Sequence, residues 1–280
     1  MIRKRPYLLI PVALWLAAVA FAAVFDLDIS LSVAGTMNPF GRLFEIIGEI
    51  PAILFTSLNL SFIAVYFLRC KSNRLTSGIS ITLAVVLAYY TSNATLEYIE
   101  SWRNDLSLGF IGDGAKLSIA LIAALLFVSL FLYIAFKTDV EQLERILKPA
   151  VHCFIAAVLV FVVIWCLKLL WGRVRFRQLT DIAQFTPFYM PNGFSGFDGH
   201  YSFPSGHTAN ATVILSLTYY FGFIKSERIK SVLKCLLIIW IIIVALSRVV
   251  VGAHYLSDVL FGMAVTAVIV YLCRPKTQLL

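Results

Sequence analysis

The stretch AVHCFIAAVLVFVVIWCLKLLWGRVRFR, residues 150–177, decides how the rest of the chain is read. Its first 22 residues carry only His152 and Lys168 as basic side chains, and no carboxylate. At 1.5 Å per residue a helix of that length spans about 33 Å, enough for the hydrocarbon core of a bilayer. The last six residues hold Arg173, Arg175 and Arg177. A run suited to crossing a membrane therefore ends in a dense cationic rim, and both parts need an explanation.

Further apolar runs of spanning length lie at about 7–25, 50–68, 76–96, 117–136, 205–223, 232–250 and 256–273, each bounded by Gly, Pro, Ser or charged residues. With 150–171 they predict an all-α fold, a polytopic membrane helix bundle of about eight transmembrane helices. Composition agrees: 60% of the 280 residues are apolar and 14% charged, more apolar than the roughly one half of a soluble domain. The formal charge of +8 comes from basic residues scattered between hydrophobic runs, not from an aromatic-interleaved basic face, which argues against nucleic acid as a partner. Cys70, Cys153, Cys166, Cys235 and Cys273 show no CxxC and no zinc spacing, and read as small apolar side chains. No repeat or linker divides the chain, so a single membrane domain over 1–280 is expected.

Lys and Arg in short loops are retained on the cytoplasmic side. Starting with Arg3, Lys4 and Arg5 inside, alternate loops carry Arg69, Lys71, Arg74; Lys137, Arg145, Lys148; Lys225, Arg228, Lys230, Lys234; and Arg274, Lys276, together 15 of the 23 basic residues. Both termini are therefore expected in the cytoplasm and loop 172–204 outside, with a bacterial inner membrane as the setting. The exceptions are Arg42, Arg103, Lys116, Lys168, Arg173, Arg175, Arg177 and Arg248, and the last five gather around one candidate site. The first apolar run exceeds the roughly 7–15 residues of a signal-peptide core, so it is read as a retained helix.

Ionisable groups in or at the rim of membrane helices are costly and mark function. Three segments stand out. In the third, Ser247-Arg248 to His254 and Asp258, a spacing of four puts the imidazole and carboxylate on one helical face if the last helix has begun at His254. A carboxylate there orients the ring and raises the basicity of its free nitrogen, the arrangement of an activated nucleophile. Arg248 offers a planar fork for phosphoryl oxygens. In the second segment, Pro204-Ser205-Gly206-His207, Pro204 suits a helix start, and Ser205 and Gly206 present a hydroxyl and backbone N–H groups at the positive end of a helix, an anion site. In the first, Lys168 and Arg175 are seven apart, close to two helical turns, so both can project to one side if the helix continues past Gly172. Singly, each segment has a bland reading: a snorkelling cation, a structural His–Asp pair, a turn. Together, three anion-suited segments fall on one membrane face.

These strings resemble the three-part signature of the type 2 phosphatidic acid phosphatase superfamily, whose fold is shared with vanadium haloperoxidases. Lys168 and Arg175 match its first motif, Pro204 to His207 its second, and Ser247, Arg248, His254 and Asp258 its third; Phe176 stands where the family usually has Pro. The resemblance implies that His254 attacks phosphorus, that Asp258 orients it, and that His207 protonates the leaving oxygen. It also implies that Lys168, Arg175, Ser205, Gly206 and Arg248 hold the phosphoryl group, with no metal and no cofactor. The implied substrate is a lipid phosphate or diphosphate such as phosphatidic acid, phosphatidylglycerol phosphate, undecaprenyl diphosphate or lipid A, met in the lipid bilayer without an obligatory protein partner. On this reading 150–273 is the catalytic helical core and 1–149 adds N-terminal helices of unassigned role.

Arg173 and Arg177 are read either as headgroup contacts or as side chains facing water. Phe185, Phe188, Tyr189, Phe194, Phe197 and Tyr201 read as an interfacial aromatic cap, with a lid over the substrate as the alternative. Asp181 and Asp198 read as turn residues, His152 and His200 as outside the chemistry, and Glu97 and Glu100 as solvated. The rival from another class is a transporter or lipid-binding membrane protein with a non-catalytic anion site; the absence of repeat symmetry argues against it.

Overall fold

The computed structural model describes residues 9–106, 108, 111–196 and 199–276. Arg3, Lys4 and Arg5, read above as cytoplasmic charges, and Phe197 and Asp198 lie outside the described residues. The elements in order are α1 (Leu9–Val33), α2 (Pro39–Ile47), α3 (Ile50–Cys70), α4 (Arg74–Asp105), α5 (Asp113–Lys137), α6 (Val140–Trp171), α7 (Gly206–Val213), α8 (Glu227–Val250) and α9 (Leu256–Cys273). There is no strand among the described residues.

Among the described residues, seven helical runs are long and apolar enough to cross a membrane: α1, the α2–α3 run Pro39–Cys70, α4, α5, α6, α8 and α9. The chain is a polytopic all-α bundle and an integral membrane protein. The crossing expected at 205–223 is built differently, from the short α7 followed by a 3-10 stretch, Ile214–Phe223. The first run, expected to stop near residue 25, continues to Val33, because Asp26 and Ser30 are buried inside the protein and do not end the helix.

α2 was not expected, since nine residues are too few to span. Its sequence PFGRLFEII begins with Pro39 at the first helical position, and the Asn38 side chain accepts from the Gly41 N–H at 3.0 Å, a standard N-cap. Gly41 is required where α2 meets the end of α8: a Cβ there would come within 2.8 Å of the Val251 Cβ.

α3 is the central post. One core, Leu60, Ile63, Ala84, Ala88, Ala124, Val128 and Ala150, joins it to α4, α5 and α6. The fully buried alanines let helix backbones approach closely, the means by which helices associate where lipid removes the hydrophobic drive. A second core, including Ala52, Val160, Ile164, Ala209, Val213 and Ile241, ties α3 and α6 to α7 and α8. α1 lies on α8 and α9, and α2 on α8 and α4. α4 and α6 both pack on α3 without packing extensively on each other, which leaves a lengthwise crevice between them.

Candidate active site

α6 ends at Trp171 because Gly172, in the left-handed region at φ +54°, turns the chain back. Arg175 therefore lies beyond the helix, and the two-turn relation expected between Lys168 and Arg175 does not exist. The turn brings both to one cavity by another route. Phe176, in the place of the family proline, opens a short 3-10 turn, Phe176–Gln178, and its ring meets Tyr255 edge-on at 6.3 Å. The Arg177 N–H donates to the Gly252 carbonyl at 2.9 Å, which pins this turn to the α8–α9 connection.

Pro204 is not a first helical residue; the Phe203–Pro204 peptide is cis, and Ser205 caps α7, which begins at Gly206. The Ser205 hydroxyl is fully buried and accepts from the Thr208 N–H at 3.4 Å and hydroxyl at 3.1 Å. α9 begins at Leu256, so His254 precedes the helix and does not share a helical face with Asp258. The His254 Nδ1 and the Asp258 Oδ2 are 3.6 Å apart, too far for a hydrogen bond, and Nδ1 has no other partner.

Lys168, Arg175, Gly206, His207 and His254 line one cavity of about 620 Å³. The Lys168 ammonium donates to the Tyr201 carbonyl at 2.6 Å, beside Gly206. No ion pair of Arg175 occurs among the described residues, and its Nε is buried without a hydrogen-bond partner. Burial, then Arg177 nearby, lowers its pKa from the usual arginine value. Burial also pushes the His254 imidazole down to about 3; Asp258 pulls the other way, and Lys168 and Arg175 add to the depression. His254 is thus a neutral imidazole in a cationic pocket.

Arg248 and the Ser205 hydroxyl do not reach the cavity wall. Arg248 is 1% exposed, donates to the Gly41 carbonyl at 2.6 Å and lies 3.3 Å from Glu45. Its fork is taken up by α2. Arg173, read from sequence as a headgroup contact or a solvated side chain, is also 1% exposed. It bridges Asp258 at 2.6 Å and Asp26 of α1 at 2.9 Å, donates to the Ser257 hydroxyl at 2.8 Å, and covers the Tyr255 ring at 4.1 Å. Burial disfavours the charge of Arg173, but Asp258 and Asp26 outweigh it and raise its pKa. Asp258 is filled further by the Ser202 hydroxyl at 2.5 Å and the Tyr255 N–H at 2.9 Å.

His207 faces the other half of the chain. Its Nε2 lies 3.2 Å from the Glu45 carbonyl, its Nδ1 3.6 Å from Glu49, and its ring meets Tyr98 edge-on at 5.4 Å. Glu45 also pairs with Arg42 at 2.9 Å and Arg177 at 3.0 Å, and Arg42 reaches Asp105 at the end of α4. Asp26, Glu45, Glu49 and Tyr98 were missed by sequence reasoning, although an Asp within the first apolar run and three charges in residues 42–49 were signals of the same kind as those in the motifs. Of the expected aromatic cap, Phe185 lies under the Arg173 guanidinium and meets Tyr255 edge-on, and Phe188 packs with Phe203 and Phe261, whereas Tyr189 and Phe194 are exposed. Glu100, expected in solvent, is buried and paired with Lys116 at 2.5 Å.

Residues 149–279 match the family model of the PAP2 superfamily. No solved structure matches the chain. The matched region holds all three motif segments and leaves out α1 to α5, and with them every carboxylate that reaches the site from the first half. The likeness to the PAP2 superfamily, confined to residues 149–279, supports an activity of the phosphatase type.

Proposed function

We propose that the chain is a metal-independent phosphatase that removes phosphate from a lipid phosphate or diphosphate at the outer membrane boundary, through a phosphohistidine on His254. The shape of the site cavity carries this reading. Its head is polar, formed by Lys168, Arg175, Gly206, His207 and His254, and it continues into the crevice between α4 and α6 over a floor of Ala52, Ile53 and Thr56. The walls are apolar: Leu83, Val86, Leu87 and Tyr90 on one side, Phe154, Ala157, Val158 and Phe161 on the other. From Lys168 to Phe154 along α6 the crevice runs about 21 Å, roughly two thirds of a hydrocarbon core. Phe161, Val86 and Tyr90 are more than half exposed, as expected of a rim open to lipid. A phosphate at the head with an apolar chain along the crevice fits both linings.

At the head, Lys168, Arg175 and the backbone at Gly206 neutralise the phosphoryl oxygens, which is most of what phosphoryl transfer asks of a protein. His254 attacks phosphorus with the nitrogen not facing Asp258. The N–P bond forms as the bond to the leaving oxygen breaks, and His207 gives that oxygen a proton. His207 then takes a proton from water, which attacks the phosphohistidine and releases inorganic phosphate. Among the described residues no group of three or more His, Cys, Asp or Glu could hold a metal.

The test is phosphate release from phosphatidic acid, phosphatidylglycerol phosphate, undecaprenyl diphosphate and lipid A, with chelator present, for wild type and His254→Ala. The substitution should cost about 10⁴-fold or more in kcat, as removal of a nucleophile does. A nucleophile works unprotonated, so rate falls only as pH drops through its pKa. With His254 held near 3, the acid limb should lie below pH 5 and not near the ordinary histidine value. Absence of release from every substrate, or full activity in His254→Ala, would overturn the reading.

A further inference from the structure

We propose that Glu49, on the turn between α2 and α3 and outside the family-matched region, is the positioning residue whose charge offsets the burial of His207 and favours the protonated ring for its role as general acid. This rests on the phosphatase reading above. Both nitrogens of His207 face acceptors: the Glu45 carbonyl at 3.2 Å from Nε2 and the Glu49 carboxylate at 3.6 Å from Nδ1. At 3.6 Å the Glu49 carboxylate is beyond hydrogen-bond distance of Nδ1 but close enough to attract a charged ring. Glu49 is itself held in place, since the Asn210 amide, one turn along α7 from His207, donates to its Oε1 at 2.7 Å.

Charge arguments agree. His207 and Glu49 side chains are 12% and 13% exposed, so water screens their attraction weakly. The other groups facing His207 are Glu45 from α2, Arg248 from α8 and Tyr98 from α4. Arg248 opposes the imidazolium, but Glu45, 3.3 Å from it, offsets that cation. Glu49 is then the carboxylate left to balance a proton on His207. In the reaction the Nε2 proton passes from the ring to the leaving oxygen, while the Nδ1 proton stays on the ring facing Glu49. His207 becomes neutral, takes a proton from water in the second step, and returns to the imidazolium.

The experiment uses the full chain in detergent micelles and two substrates. Phosphatidic acid has an alkoxide leaving group that needs the proton; 4-nitrophenyl phosphate has a phenolate that leaves without it. Glu49→Gln should lower kcat on phosphatidic acid by about 10- to 100-fold with KM little changed, the range of general acid catalysis. It should change kcat on 4-nitrophenyl phosphate less than about threefold. The basic limb of the phosphatidic acid profile should move down by about 1–2 pH units, because loss of a neighbouring carboxylate favours the neutral ring. Glu49→Asp should restore part of the rate. Asn210→Ala, which frees Glu49 without removing it, should move the same limb in the same direction by less, and serves if Glu49→Gln does not fold. Equal losses on both substrates, or a basic limb that stays in place in both variants, would overturn the role of Glu49 while leaving the phosphatase intact. If wild type releases phosphate from none of the four lipid phosphates named above, or His254→Ala matches wild type, both readings fall together.

Discussion

At His254 the cavity wall presents cations, Lys168 and Arg175, and the carboxylate beside it, Asp258, is already filled by Arg173, Ser202 and the Tyr255 N–H. At His207 the wall presents acceptors, the Glu45 carbonyl and the Glu49 carboxylate. Two imidazoles on one cavity are thus sorted by their neighbours, one towards the free base and one towards the cation. The sorting also divides by origin. The neighbours of His254 come mainly from the motif-bearing half, with Asp26 bracing Arg173 from α1, whereas those of His207 come mainly from α2, α4 and the turn before α3, with Arg248 of α8 beside them. Environment assigns the roles of base and acid here, as it does wherever a pair of like groups must do opposite tasks.

The comparison breaks most sharply at Arg173. Its replacement by Ala leaves Asp26 and Asp258 buried without their cation, and loss of one partner from a buried ion pair costs about 3–5 kcal/mol. Thermal unfolding in detergent should show that loss. Any activity that survives should retain the basic limb set by His207, because Arg173 touches only the nucleophile's side; a shift in that limb would mean the two sides are not separable.

Much of this division was hidden in the sequence for definable reasons. The spans were legible because long apolar runs have few alternatives in an unbroken chain. The cavity cations Lys168 and Arg175 were legible as charges out of place, although the helix end at Gly172 overturned the geometry offered for them. α2 was hidden by its length, and Glu45 and Glu49 by distance: they are some 160 residues from His207 in sequence, and nothing local says that α2 folds over α8. Asp26 was the readable one, a carboxylate inside an apolar run, and it is Arg173, 147 residues away, that explains it.

A smaller effect sharpens the boundary between chemistry and binding. Ala157 lines the crevice midway along α6, remote from both histidines. Ala157→Phe should raise KM for a long-chain lipid phosphate about tenfold, the weight of roughly 1.4 kcal/mol, and leave 4-nitrophenyl phosphate unaffected. Equal effects on both substrates would place the chain elsewhere. Smallest is Gly252, at φ +69° and with its carbonyl on Arg177. Gly252→Ala should cost about 1–2 kcal/mol of stability from the left-handed backbone, with a Cβ 3.3 Å from Phe176, and alter both histidines' pH limbs little. A large shift in either limb would show that the α8–α9 turn belongs to one side of the comparison.

The grip of α2 on Arg248 bears on modularity. A sequence cut at residue 149 retains every recognisable motif, yet it strips Arg248 of Glu45 and the Gly41 carbonyl, and Arg173 of Asp26. The segment that sequence comparison isolates is therefore not a portable cassette. Grafted onto another membrane scaffold, it would carry two buried guanidinium groups short of their counter-charges, and a successful transplant would have to bring α1 and α2 along as part of the same working unit.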